Sequence, residues 1–373
     1  MIQARFFRKA FILVLTASLA ACASRPGPEV LETVAAVESP EGRRVKVYTV
    51  TTRNRVKPAS NIFDAGKSPH TNYAELTVSI PPGHKQGMIE WPGKKPDPKK
   101  SFAVVEQEVL DQATFLHKVK ATGSEPKRIG IFVHGYNYNF QESIFRLAQM
   151  VADSAIEGEP ILFSWPSQGS VAGYVADKEA ATYSRDHLAR LLTELTEASK
   201  QNEVFVFAHS MGGWLTVEAL RQLKLQGRTD VLNRLHVVLA APDIDEDVFR
   251  VQTEVIGRMK NPLTILVSAD DRALAVSKIL SASTQRVGTL DVTDPKVQEV
   301  AVAYNIQIID ISAIKGPDAT NHSRFVDAAA LYPALTARTQ TQGLNEAGAF
   351  VFDAAAATIS SPFRIVSGVL KQQ

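Results

Sequence analysis

The chain has 373 residues, 45% of them apolar, with 41 basic against 39 acidic side chains and one cysteine. This supports one large core, or one core with a smaller module, and excludes a disordered or low-complexity chain. The near-neutral balance gives no electrostatic support to a nucleic-acid role, and a lone cysteine excludes an internal disulfide.

Arg5, Arg8 and Lys9 precede an apolar run from Ala10 to Ala21. That run is too short to span a bilayer comfortably and fits a secretory signal. It ends Leu19-Ala20-Ala21-Cys22, which resembles a bacterial lipoprotein box. The resemblance implies cleavage before Cys22 and a lipid on its sulfur; the alternative is a secreted protein with an incidental cysteine. Residues 1–21 are thus expected as a signal peptide and 22–44 as a lipidated tether, small and polar from Arg25 to about Pro40. Cleavage removes three basic residues and leaves the mature chain at 38 basic against 39 acidic, a net charge of −1. Ala23 stands where a lipoprotein retained in the inner membrane would more often carry aspartate. The expected address is the bacterial envelope, with the outer membrane favoured and the body facing the periplasm.

Three short strand candidates follow: Val45–Thr51, Glu75–Ile80 and Phe102–Glu108. With only proline- and glycine-bearing loops between them, they read as an antiparallel edge of a larger sheet. In one such loop, Lys94, Lys95, Lys99 and Lys100 alternate with prolines and read first as a solvated loop, second as a membrane-facing patch. After Lys127 the pattern changes. Apolar strands at 129–133, 161–163, 204–207, 235–239, 263–267 and 306–311 alternate with amphipathic segments such as Phe140, Ile144, Leu147 and Val151. That alternation predicts a mostly parallel sheet with helices on both faces, which binds ligands at the carboxyl ends of its strands. Residues 166–184 lack a strong period and read as a small cap or a long loop. From about Thr336 strand signals fade, so 45–335 is expected as the folded domain and 336–373 as an accessory helical tail, packed on the core or facing a membrane.

Within this frame, Val204-Phe205-Val206-Phe207-Ala208-His209-Ser210-Met211-Gly212-Gly213 reads as strand, sharp turn and helix. A turn that aims a serine over the end of a sheet tolerates little bulk two residues to either side, and Ala208 and Gly212 meet that requirement. Ser210 is therefore the candidate nucleophile. A serine hydroxyl needs a positioned base, usually a histidine oriented by a carboxylate, and in this fold the acid and then the histidine follow the nucleophile along the chain. Asp271, with Asp270 as runner-up, lies at the end of the strand 263–267. His322 is the only histidine after His236. The oxyanion donors expected are the amides of Met211 and Tyr136, the latter offered by the loop His134-Gly135-Tyr136-Asn137. His134 and His209 read as structural. Trp165 and Tyr174 are candidate walls of a substrate pocket. Asp243 and Asp245 are secondary candidates for the pocket or for the acid. No metal or phosphate-binding pattern is present, and no cofactor is expected.

Taken in order, His134-Gly135-Tyr136-Asn137, Phe163-Ser164-Trp165-Pro166-Ser167, Ala208-His209-Ser210-Met211-Gly212, Ala240-Ala241-Pro242-Asp243, Ser268, Asp271-Arg272-Ala273-Leu274 and His322 resemble a group of bacterial α/β-hydrolase-fold proteins described as a domain of unknown function. Thr51-Thr52-Arg53 and Val78-Ser79-Ile80-Pro81 extend the likeness over about residues 45–335. The resemblance implies the α/β-hydrolase fold and a serine nucleophile, and names no substrate. The expected activity is cleavage of a carboxylic ester or thioester of a small acyl substrate through an acyl-enzyme. Peptidase or acyltransferase chemistry, or a non-catalytic envelope interaction protein on the same fold, are the alternatives. The expected contacts are the substrate and, through the lipid, the membrane.

Overall fold

The computed structural model describes residues 25–36, 43–120, 128–154, 158–198, 202–281, 285–314, 316 and 318–326, and the backbone of 349–352 and 365–367. The strands are β1 (Arg43–Arg55), β2 (Phe63–Ile80), β3 (Ala103–Leu110), β4 (Arg128–Val133), β5 (Glu159–Ser164), β6 (Glu203–His209), β7 (Leu235–Ala240), β8 (Leu263–Val267), β9 (Ile306–Asp310), β10 (Ala349–Phe352) and β11 (Ile365–Ser367). The α-helices are α1 (Gln112–Val119), α2 (Phe140–Asp153), α3 (Tyr174–Ala198), α4 (Met211–Leu225), α5 (Thr229–Leu232), α6 (Glu246–Ile256), α7 (Arg272–Leu280) and α8 (Pro295–Tyr304). All eleven strands join one sheet in the order β11-β10-β9-β8-β7-β6-β4-β5-β1-β2-β3. Pairing is parallel from β10 through β1 and antiparallel at both edges, β1 with β2 and β2 with β3 on one side, β10 with β11 on the other.

Period-two alternation sends successive strand residues to opposite faces, and here both faces are covered. Ile131, Val133, Val204, Val206 and Ala208 join a core with the leucines of α3 and α4. Phe132 points the other way, into a second core with Phe140, Ile144, Phe145 and Leu147 of α2 and with Phe325. The loops at the strand ends are stiffened by helix caps. Asn139 and Glu142 form a reciprocal capping box on α2, and Asp245 and Asp271 accept backbone N–H groups at the starts of α6 and α7.

The mostly parallel sheet with antiparallel amino-terminal strands agrees with the sequence pattern, and three expectations need correction. The segment expected as a tether is in part packed: a short 3-10 turn at Pro28–Leu31 buries Val30 and Leu31, and Val34 N–H donates to Val104 O at 3.0 Å. Two buried aliphatic residues had been masked by a small and polar surrounding. Residues 166–184 are neither cap nor loop throughout, because α3 begins at Tyr174 and runs 25 residues. At the carboxyl end, the expected helical tail contains strands: β10 pairs with β9 and β11 with β10. The runs Phe350-Val351-Phe352 and Ile365-Val366 carry the aromatic and β-branched residues that suit a pleated surface. Among the described residues no helix is long and apolar enough to cross a membrane.

If the amino-terminal segment belongs to the core, Leu31→Ala should lower stability by about 2 kcal/mol or more, as buried leucines do. Thermal or urea unfolding checks this, and an unchanged midpoint would restore the tether reading.

Candidate active site

The register across the sheet brings the site together. Val133 pairs with both Phe163 and Ala208, His209 with Ala240, Ala240 with Leu266, and Val267 with Asp310. The loops leaving β4 to β9 therefore open along one edge, the carboxyl edge of the parallel strands.

Ser210 sits between β6 and α4 with φ 54° and ψ −121°, a conformation that costs a non-glycine residue on the order of 1–3 kcal/mol. Backbone bonds on both sides hold it. Its N–H donates to Ala240 O at 3.0 Å, and its carbonyl accepts from Gly213 N at 2.9 Å and Asp243 N at 3.1 Å. Gly212 has no freedom to be larger: a Cβ there would stand 2.4 Å from His134 O and 2.5 Å from Val133 O. Close contact of α4 with the end of β4 thus requires glycine at that position. Met211 is the first residue of α4, so its amide lies among the free N–H groups and positive dipole end of the helix.

His322 lies in the loop after β9. Its Nδ1–H donates to Asp271 Oδ2 at 2.7 Å, while Asp271 Oδ1 accepts from Leu274 N at 3.0 Å as the cap of α7. Burial would depress the imidazole, but the hydrogen bond and charge of Asp271, with Asp243 and Asp318 beyond, outweigh it and hold the pKa above the ordinary 6.5. The His322 ring lies 4.5 Å, centroid to centroid, from that of His209, the residue immediately before Ser210. Asp270 takes another part. It accepts from Arg324 Nη2 at 2.8 Å and from Asn321 Nδ2 at 2.9 Å, so it grips the histidine loop on both sides of His322. The Arg324 guanidinium foremost, with the Ser268 hydroxyl, pulls its carboxyl down to about 2 against the opposing effect of burial.

The loop that carries Tyr136 is braced from below. Fully buried His134 stacks on Trp165 at 4.9 Å, donates from Nδ1 to Gly135 O at 2.9 Å and lies 3.3 Å by Nε2 from Ser164 Oγ. Burial, with the nearby Arg53 charge, lowers its pKa to about 3, so it is neutral across the working range. Gly135 faces the elbow: a Cβ on it would come within 3.0 Å of Ser210 Cβ and 2.7 Å of His209 Nδ1. Asp177, buried, accepts from Asn137 N at 3.2 Å and from Gln168 N at 2.6 Å, tying this loop to the one after β5. Arg53 reaches the same place from β1, donating to Ser167 O and Tyr138 O, each at 3.0 Å. Sequence patterning gave no role to Asp177 or to the side chain of Arg53, because a charged residue near a loop reads as solvated.

Of the expected pocket walls, Trp165 is displaced from that role. It is fully buried, and its indole N–H donates to His134 O at 2.8 Å. Tyr174, also buried, donates to Asp243 Oδ2 at 3.0 Å and lies 3.0 Å from Ser277 Oγ, with its ring edge-on to Tyr136 at 5.4 Å. Asp243 is not the partner of His322: it forms a buried ion pair with Arg286 at 3.2 Å. Asp245 caps α6. Cys22 lies outside the described residues. Among the described residues no group of three or more His, Cys, Asp or Glu side chains is placed to hold a metal ion.

A sheet of this topology, covered by helices on both faces and carrying a strained serine at a strand-to-helix turn, is an α/β-hydrolase fold. The chain belongs to the family of α/β hydrolases of unknown function DUF900, whose model matches residues 109–339. A protein of Nostoc sp. described as uncharacterized is 38% identical over 61 residues, which are 16% of this chain and 16% of that relative. The match thus spans about a sixth of the Nostoc protein's length. Among solved structures, a cutinase-like protein from Cryptococcus sp. is 14% identical, with a TM-score of 0.34 over 60% of this chain and 98% of that one. Esterase B from Lactobacillus rhamnosis is 10% identical, with a TM-score of 0.32 over 89% and 99%. Likeness at that level carries no argument about activity.

The Asp271–His322 pair can be read in solution. Nuclear magnetic resonance titration of the His322 ring should give a midpoint above 6.5 that falls in Asp271→Asn, where the negative charge is removed. Since the folded value exceeds the unfolded one, the pair's contribution to stability is full below the unfolded value and is lost as pH rises through the folded one. A midpoint unmoved by the substitution would mean that the pairing does not persist in solution.

Proposed function

We propose that the protein is a serine hydrolase acting on a carboxylic ester or thioester, with Ser210 as nucleophile, His322 as base and Asp271 as the acid that orients it. The observation that carries this reading is the 2.7 Å bond from His322 to Asp271 at the same sheet edge as the strained Ser210. Ser210 Oγ attacks the acyl carbon while its proton passes to His322 Nε2. Negative charge gathers on the former carbonyl oxygen, where the amides of Tyr136 and Met211 are the donors. As the C–O or C–S bond to the leaving group breaks, His322 returns the proton to the departing alcohol or thiol. Water, deprotonated by the same imidazole, then attacks the acyl-enzyme and releases the carboxylic acid and free Ser210.

A base whose pKa is held above 6.5 is neutral only on the alkaline side of that value, so activity should rise with pH through it. In this scheme His134, held neutral, and Asp243, in its ion pair with Arg286, have structural roles. The second part of the proposal rests on the sequence alone: Cys22 carries a lipid and holds the enzyme on the periplasmic side of a bacterial envelope membrane, with the outer membrane favoured.

A fluorophosphonate probe should label the folded protein, and Ser210→Ala should abolish the label without loss of fold. Circular dichroism and thermal melting provide the control. Folded wild-type protein that takes no label over hours would favour a binding protein on a hydrolase scaffold and overturn the enzymatic reading.

A further inference from the structure

The amino-terminal segment meets the body at the mouth of the site. Arg25 donates from Nη1 to Asn137 Oδ1 at 2.7 Å and from Nε to Glu142 Oε1 at 2.8 Å, and its guanidinium also reaches Asn137 O and Gly169 O. Asn137 is the neighbour of Tyr136, so this arginine grips the loop expected to supply an oxyanion donor. Cys22 is three residues away. Three peptide steps cover at most about 11 Å, so any lipid on Cys22 starts within that reach of Arg25.

The same edge carries an unusual surface. Val171, in the 3-10 turn that precedes α3, and Val175, in the first turn of α3, are 73% and 75% exposed, and Val276, Ile279 and Leu280, on α7, are 55%, 78% and 58% exposed. Val276 lies three and four residues before Ile279 and Leu280, which puts these three on one side of α7. The two elements touch at Tyr174 and Ser277, and the Tyr136 hydroxyl donates to Val171 O, which places the apolar collar beside the expected oxyanion loop. Helix α7 itself is capped by Asp271, the partner of His322. Arg272 and Lys278, both exposed, are the cations of α7.

We propose that this collar is a membrane-docking rim, seated in the headgroup boundary of the bilayer that holds the lipid on Cys22, and that the catalytic mouth opens onto that bilayer. The proposal rests on the lipid anchor and on Ser210 chemistry, and it names the substrate class as an acyl ester presented at a lipid surface. Aliphatic side chains dipping a few ångströms into the boundary add to the hold of an anchor, and flanking cations favour anionic headgroups. A mouth turned toward the bilayer shortens the path from lipid to hydroxyl.

The test uses the lipidated full chain on vesicles of phosphatidylethanolamine and phosphatidylglycerol that contain a nitroxide-labelled lipid. Cys22 is the only cysteine, so with its sulfur acylated a single introduced thiol takes a fluorophore cleanly. Val175→Cys and Ile279→Cys report on the rim, and Leu225→Cys, at the far end of α4 and 59% exposed, reports on the opposite edge. Nitroxide quenching should be several-fold stronger at 175 and 279 than at 225. Equal or reversed quenching would overturn the rim, and failure of the protein to stay on the vesicles would overturn it together with the anchor. A concentration-dependent spectral change at 279 without vesicles would mean that a second copy covers this face, which also contradicts the proposal. Fluorophosphonate labelling of the same variants is independent of docking, so loss of the rim and loss of the catalytic reading are told apart.

Discussion

A hydrogen bond of 2.7 Å between His322 and Asp271 joins two loops 51 residues apart, and the arrangement of the site depends on it. Neither loop is regular, so its position has to be fixed by side chains. Two adjacent carboxylates divide that task. Asp271 is buried, caps α7 and meets the imidazole, whereas Asp270 is half in solvent and holds Asn321 and Arg324 on either side of the histidine. Phe325, one residue further, stacks on His209 at 4.0 Å, which closes the circle back to the elbow.

The other side of the site is held largely by buried polar groups. Arg53 lies in the interior, and burial lowers its pKa to about 10, so it stays charged at neutral pH. Its guanidinium is satisfied by Ser164 Oγ and by the carbonyls of Ser167 and Tyr138. Those contacts knit β1 to the loops after β4 and β5. A buried cation served by fixed oxygens permits few alternative geometries, because any shift would leave charge unpaired in a medium of low polarity. The antiparallel amino-terminal strands thus extend the sheet and also supply the side chain that stiffens the loop beside Ser210. Asp177 does the same from α3, and Arg25 from the amino-terminal segment.

Much of this is legible in the sequence itself. Apolar strands alternating with amphipathic helices specified the parallel sheet, and Ala208-His209-Ser210-Met211-Gly212 specified the turn, since the requirement for small residues there is steric and local. The choice between Asp270 and Asp271 was not decidable from spacing. Both lie at the end of β8, and only the direction of each side chain separates them. Trp165 looked like a pocket wall because an aromatic after a strand at the functional edge can face either way; its indole N–H found His134 O beneath the loop. The tether reading failed over Pro28–Leu31, where two aliphatic residues suffice to dock a segment. The tail reading failed because short runs of Phe, Val and Ile carry no period long enough to separate strand from helix.

The central claim is that residues 210, 322 and 271 act as one unit. Its most direct test is the rate at which a fluorophosphonate reacts with Ser210, followed by stopped reaction and peptide mapping across pH in the wild type and in His322→Ala. Coupled residues predict a rate that climbs with pH through the His322 titration and falls at least a thousandfold, losing that pH dependence, when the imidazole is removed. A rate that is flat with pH, or that survives the loss of His322, would contradict the account.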